Sequence, residues 1–273
     1  MKQVVALTDF SNCASNAMEY AVELARILDL ELCVIHAISS TEGVDNSIYN
    51  AIFIEDYYNN KRQGLAKWVD NFVSDEQHRD VKVKTVCEVG SLSSVITNYV
   101  SSNPVEMIVM GTMGSTGISG LFGSNANMVV TKLKIPTLII PLESKFSADP
   151  TITLATDFEA NLSGEDVSAL KELIAAFRSE KINVLNIVEK AYSGNNEEGE
   201  NKLKETLSNV ELKFNYIQES STASGIMDFI EISQTDILCV VKHHHNIVYR
   251  LFNRSTVNQL MNKSVKAVLV LHE

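Results

Sequence analysis

The chain has 273 residues, 45% of them hydrophobic, with 23 basic and 34 acidic side chains and a formal net charge of −11. That length admits one large domain or two ordinary ones, and the apolar content is ample for packed cores. The charge is spread evenly, −5 over residues 1–145 (11 basic, 16 acidic) and −6 over the rest (12 basic, 18 acidic). With no basic patch or tail, this balance argues against a dedicated nucleic-acid or anionic-membrane binder.

The start of the chain, Met1 to Asp9, is charged too soon for a signal peptide. No apolar stretch approaches the roughly 18–20 residues that span a bilayer, so the expected setting is soluble and cytoplasmic. The four cysteines, Cys13, Cys33, Cys87 and Cys239, lack C-x-x-C spacing and read as buried free thiols rather than a metal or redox site.

Val4 to Leu7 is a continuous apolar run, as in a strand covered on both faces. It ends in Thr8-Asp9-Phe10-Ser11. From Cys13 to Leu28 the apolar residues fall at helical spacing, with Ser11 or Asn12 able to cap the helix. Leu32 to Ala37 reads as a second buried strand. Tyr49 to Phe72 reads as a long helix, Val81 to Glu88 as an alternating strand, and Leu92 to Ser101 as a short helix after the Gly90-Ser91 break. Met107 to Met110 is a short strand, Asn125 to Leu133 a helix, and Thr137 to Ile140 a strand set off by Pro136 and Pro141. Strands alternating with helices imply parallel pairing and an α/β fold.

Between Met110 and Asn125 the sequence places glycine at every third position, Gly111, Gly114, Gly117, Gly120 and Gly123. A glycine-rich strand-to-helix turn lets backbone N–H groups approach an anion beside a helix N-terminus. The turn is not a P-loop, because no Gly-Lys-Ser/Thr follows, and it lacks the G-x-G start of a dinucleotide fingerprint.

The order of elements then recurs. Thr151 to Phe158 ends in Thr-Asp-Phe, as the first strand does. Val167 to Phe177 repeats the first helix and Ile182 to Ile187 the second strand. Ser193 to Glu200 reads as an acidic loop before a short helix at Leu203 to Leu207. Leu212 to Gln218, Ala223 to Ile232, Ile237 to Val241 and Lys266 to Leu271 complete the cycle. Two tandem copies of one domain, residues 1–143 and 150–273, are expected, joined at Glu143 to Pro150.

On these residues the chain resembles the universal stress protein family, as a tandem two-domain member. The early strand ending in Thr8-Asp9, the second ending in His36-Ala37, Gly90-Ser91 and the glycine turn carry the resemblance, which extends over both halves. ATP-binding members carry G-x-x-G, nine residues, then G-[S/T]. Here Gly111-Thr112-Met113-Gly114 and Gly123-Ser124 are separated by eight. The resemblance implies two Rossmann-like (adenine nucleotide alpha hydrolase-like) domains. Each would be a five-stranded parallel sheet of order 3-2-1-4-5 with helices on both faces.

In such a sheet ligands bind where the winding reverses, beyond the ends of the first and fourth strands. Asp9 and Met110-Gly111 meet there. The expected nucleotide-binding set is Thr8, Asp9, Ala37, Met110, Gly111, Gly114, Gly123, Ser124 and Asn125. The glycine backbone and Ser124 would hold phosphates at a positive helix end. Asp9 would accept from ribose, or alternatively cap the helix. By the resemblance, Ala37 would meet the base through its backbone. The cofactor implied is ATP, with Mg or Mn at its phosphates; no acidic cluster supplies a metal site of its own. No catalytic residue is assigned, since the turn carries no lysine and no general base, and slow ATP hydrolysis is the most such a site would support. His36 reads as a satisfied core histidine.

The second half has lost the turn: Lys242 to Ser255 holds no glycine, and Asn253-Arg254 stands where Gly123-Ser124 would. No nucleotide is expected there, although Asp157 remains. Adjacent His243-His244-His245 point alternately to opposite sides of an extended chain and rarely converge on a metal. They read, with Lys242, Arg250 and Arg254, as a local basic patch. The two halves are expected to pair within the chain through Thr137–Ile140 and Lys266–Leu271, covering apolar edges, and chains can dimerise further. A stress-response sensor or regulator that binds ATP in its first domain is one reading; an interaction scaffold of the same fold that binds no nucleotide is the other.

Overall fold

Val4 and Val5 are fully buried, and Ala6 and Leu7 almost so, because β1 (Gln3–Leu7) lies inside a sheet with helices on both faces. The computed structural model describes residues 1–39, 51–112, 124–158, 167–188, 196–219, 221–242 and 266–272. After β1 come α1 (Asn12–Ile27), β2 (Glu31–Ile38), α2 (Ala51–Val73), β3 (Val83–Val89), α3 (Leu92–Ser102), β4 (Val105–Gly111), α4 (Ser124–Lys132) and β5 (Thr137–Ile140). The second half runs β6 (Ile152–Ala155), α5 (Ser168–Ala176), β7 (Lys181–Val188), α6 (Glu197–Thr206), β8 (Glu211–Gln218), α7 (Thr222–Ser233), β9 (Ile237–Lys242) and β10 (Ala267–His272).

The strands form one sheet of ten, in the order β3-β2-β1-β4-β5-β10-β9-β6-β7-β8. Every pair is parallel except β5 with β10, which run antiparallel with Ile139 opposite Val268, Leu138 opposite Leu269 and Thr137 opposite Val270. The α/β fold with a mostly parallel sheet agrees with the sequence reading. Period-two alternation sends Val4 and Ala6 to the core under α1 and α2, and Val5 and Leu7 to the core under α3 and α4. Both cores continue into the second half, through Leu154 and Leu170 on one face and Leu185 and Ile226 on the other.

Local geometry recurs between the halves. Phe10 and Phe158 both take positive φ, 64° and 61°, and each donates its N–H to the hydroxyl of the threonine two residues earlier, at 3.0 Å. Asp29 and Arg178 both take positive φ at the exit of the first helix of their half. Between the halves, Asn16 donates from Nδ2 to the carbonyls of Pro141 (2.7 Å) and Ser144 (2.8 Å), and the hydroxyls of Tyr20 and Ser144 bond at 2.7 Å. Phe146 packs against Tyr20 on α1 and Phe177 after α5, with ring centroids 5.4 and 6.0 Å apart. The segment joining the halves is thereby pinned to α1.

One element departs from the sequence reading. α6 begins at Glu197, inside the stretch read as an acidic loop, and runs to Thr206. Glu197, Glu198 and Glu200 occupy its first turn, where carboxylates are favoured by the positive end of the helix. Acid content that resembles a loop in sequence is a helix start in space.

All four cysteines are free and buried. Burial pushes the Cys33 thiol up to about 11, against a lowering hydrogen bond from Tyr99, and raises the Cys239 thiol further. The thiolate is the reactive form. A thiol reagent at pH 8 is therefore expected to titrate none of the four cysteines in the native protein and all four after unfolding in guanidinium; fast native labelling of Cys33 or Cys239 would contradict this packing.

Candidate functional site

β1 is bonded to β2 on one side and to β4 on the other. α1 covers one face of the sheet and α3 the other, so a cleft opens beyond the carboxyl ends of β1 and β4. The structure gathers Thr8, Asp9, Ala37, Met110, Gly111, Ser124 and Asn125 at this one cleft. Gly114 and Gly123 lie outside the described residues, as do His243-His244-His245 and Asn253-Arg254. Among the described residues no group of three His, Cys, Asp or Glu is placed to hold a metal ion, and no helix is long and apolar enough to cross a membrane.

Two helices begin at the cleft. Ala14, in the first turn of α1, and Ser124 to Ala126, in the first turn of α4, line it. Neither first turn carries an acidic side chain; at the α1 end the Asp9 carboxylate accepts from the N-cap Ser11 N–H. The dipoles of the two helices favour an anion on this side of the cleft.

The α1 cap separates two roles for Asp9. Ser11 is the N-cap: its hydroxyl accepts from the Ala14 N–H at 3.2 Å. Asp9 Oδ1 accepts from the Ser11 N–H at 3.1 Å. Asp9 therefore shapes the strand-to-helix loop without being the helix cap, and its carboxylate stays at the cleft wall.

Gly111 serves a purpose other than the one its place in a glycine series suggests. It does not take positive φ. A Cβ there would sit 2.7 Å from Cys13 Sγ and 3.1 Å from the Cys13 carbonyl carbon and oxygen. Glycine is required so that the start of α1 can pack on the end of β4. Cys13 Sγ is fixed in turn, within 3.4 Å of the Ile140 carbonyl and 3.6 Å of Thr112 Oγ1.

Sequence reasoning missed Thr112, Leu92 and Ala126 as cleft residues, and it misjudged His36. The His36 ring is only 7% exposed and lines the cleft. Nδ1 bonds the Thr8 carbonyl at 2.9 Å, but Nε2 is buried and has no hydrogen-bond partner among the described residues. It is a half-satisfied histidine, not a satisfied one. The one available signal was its position, one residue before Ala37 at the end of β2.

A family model described as "Universal stress protein family" matches residues 1–141, just over half the chain. Among curated relatives, Universal stress protein YxiE of Bacillus subtilis is 27% identical over 146 residues, covering 51% of this chain and 97% of the relative. Universal stress protein MJ0577 of Methanocaldococcus jannaschii is 24% identical over 152 residues, covering 51% and 94%. Among solved structures, a universal stress protein from Archaeoglobus fulgidus matches with a TM-score of 0.72 at 16% identity, over 98% of this chain and 97% of that one. That likeness bears on fold alone, and it extends through both halves.

The contact at Gly111 gives a test. Gly111→Ala should destabilise the protein by about 1–3 kcal/mol through overpacking, read as a shift in the urea midpoint. In a Cys13→Ala background the same change should cost measurably less, a non-additivity that neighbours in contact show. Equal costs in both backgrounds would mean that the contact does not set the requirement for glycine.

Proposed function

The chain belongs to the universal stress protein family, and from that premise we propose that it is a stress-response regulator that binds one adenine nucleotide, ATP, in its first half. The observation that carries this reading is the meeting of two helix N-termini, without acidic first turns, and the Asp9 carboxylate at one cleft. Phosphates belong at the helix ends with the backbone of the glycine turn, Gly111, Gly114 and Gly123, and the Ser124 hydroxyl. The nucleoside belongs at Asp9 and Ala37, since a carboxylate accepts from ribose hydroxyls and repels phosphate. Thr8, Met110 and Asn125 complete the walls. Mg or Mn would enter with the phosphates rather than on a preformed protein site. No residue is assigned to catalysis.

The division of the chain is part of the same proposal. Residues 1–143 form the binding domain and 150–273 a degenerate copy. The recurring Thr-Asp-Phe geometry and the mirrored strand order support this. The antiparallel β5–β10 pairing lets one chain supply an internal pair of domains, with further dimerisation open to it. In the second half Asp157 persists, but the glycines of the turn do not, and a phosphate cradle of bare backbone needs them.

A scaffold that binds no nucleotide is the second reading. The specific observation in its favour is the spacing: eight residues, not nine, separate Gly114 from Gly123. Calorimetric titration with ATP separates the two. Wild type should bind, and Asp9→Ala and Gly114→Ala should each weaken binding about tenfold or more, the loss expected when a charge-assisted or geometric contact is removed. Absence of binding by wild type would leave the scaffold; equal binding by both variants would move the site elsewhere.

A further inference from the structure

The cleft contains a polar atom that the reading above does not use. His36 Nδ1 lies 2.9 Å from the Thr8 carbonyl. A carbonyl can only accept, so Nδ1 carries the hydrogen, and in the neutral ring Nε2 then presents a lone pair. That nitrogen is buried without a partner among the described residues. An unsatisfied buried acceptor is destabilising, and few persist in a folded protein.

The second half supplies an internal comparison. There the residue at the equivalent place is Asn186, also buried, and it donates from Nδ2 to the Thr156 carbonyl at 2.8 Å. The bond that ties the second strand to the end of the first is thus made equally well by asparagine. Asparagine has no atom at the position of Nε2; its acceptor Oδ1 sits one bond nearer the backbone. The imidazole adds one buried nitrogen in the half that keeps the glycine turn, and that nitrogen is absent in the half that lost it.

The surroundings limit where a partner comes from. Phe10 packs on the imidazole with centroids 4.5 Å apart, and Trp68 packs on Phe10 at 5.6 Å. That side is aromatic. His36 is among the residues that line the cleft, together with Thr8, Asp9 and Ala37. We infer that His36 Nε2 is a ligand-reading acceptor, taking a hydrogen bond from an N–H or O–H donor of the bound nucleoside. This rests on the nucleotide reading above. The donor is either the exocyclic amine of the purine or a ribose hydroxyl; both present the same hydrogen to the same lone pair. His36 therefore contributes to specificity as well as to the strand-end bond. An inosine base, with a 6-oxo group in place of the amine, or a deoxyribose would leave Nε2 unpaired.

His36→Asn is the informative variant, because Asn186 demonstrates that asparagine keeps the bond to the threonine carbonyl. Wild type and variant, as full chains, are titrated with ATP, ITP, 2′-deoxy-ATP and 3′-deoxy-ATP, after matching thermal melts. His36→Asn should weaken ATP about tenfold, the scale of one hydrogen bond with a buried partner left unpaired. One analogue should bind wild type about as weakly as ATP binds the variant, and should lose nothing further in the variant; that analogue identifies the donor. Unchanged ATP affinity in His36→Asn, or an equal loss for ATP and every analogue, would overturn the inference while leaving the nucleotide reading intact. Absence of binding of any nucleotide by wild type would overturn both. Should the variant not fold, 15N spectra of the wild-type imidazole decide: the lone-pair signal of Nε2 should shift on ATP addition, and a stationary signal would contradict the assignment.

Discussion

β1 has a parallel neighbour on each side, β2 and β4, and no helix can cover both of its exits at the carboxyl end. α1 leaves toward one face and α3 reaches β4 across the other. The cleft at Thr8, Asp9 and Gly111 follows from this reversal of winding, and most of what is distinctive in the first half serves it. The close packing of Cys13 on Gly111 brings the start of α1 to the end of β4. Ser11 caps α1, and Asp9 bonds the Ser11 N–H, so the loop holds its shape while its carboxylate faces the cleft. β4 ends where α4 begins after the glycine turn, delivering a second positive helix end to the same place.

The ten-stranded sheet places the second half on the far side of β5 through the antiparallel pairing with β10. Its own carboxyl-end loop repeats the Thr-Asp-Phe geometry, down to the positive φ of Phe158 and the bond to Thr156. The end of the first strand of each half thus repeats the same local geometry, while the residues around it differ. The glycine turn and the imidazole occur in the first half; a glycine-free segment and Asn186 occur in the second.

Much of the fold was legible because doubly covered strands leave continuous apolar runs, such as Val4 to Leu7 and Leu32 to Ile35, and helices leave a stripe, as in α1. The cleft was legible to the extent that strand ends mark it, and seven of the expected residues line it. What escaped depended on contacts across the chain. Gly111 answers to Cys13, a neighbour 98 positions earlier, and not to a left-handed backbone. His36 appeared satisfied because its spare nitrogen has meaning only once Thr8, Phe10 and the cleft are placed around it. The start of α6 was hidden by its glutamates, whose loop-like composition is also what a helix N-terminus favours.

The central claim is that one nucleotide binds per chain, at the cleft between β1 and β4. Native mass spectrometry of the intact protein with ATP in excess tests it most directly. A single mass increment of one ATP per chain is expected, abolished by Asp9→Ala combined with Gly114→Ala. Two increments per chain, or one that survives that double variant, would contradict it.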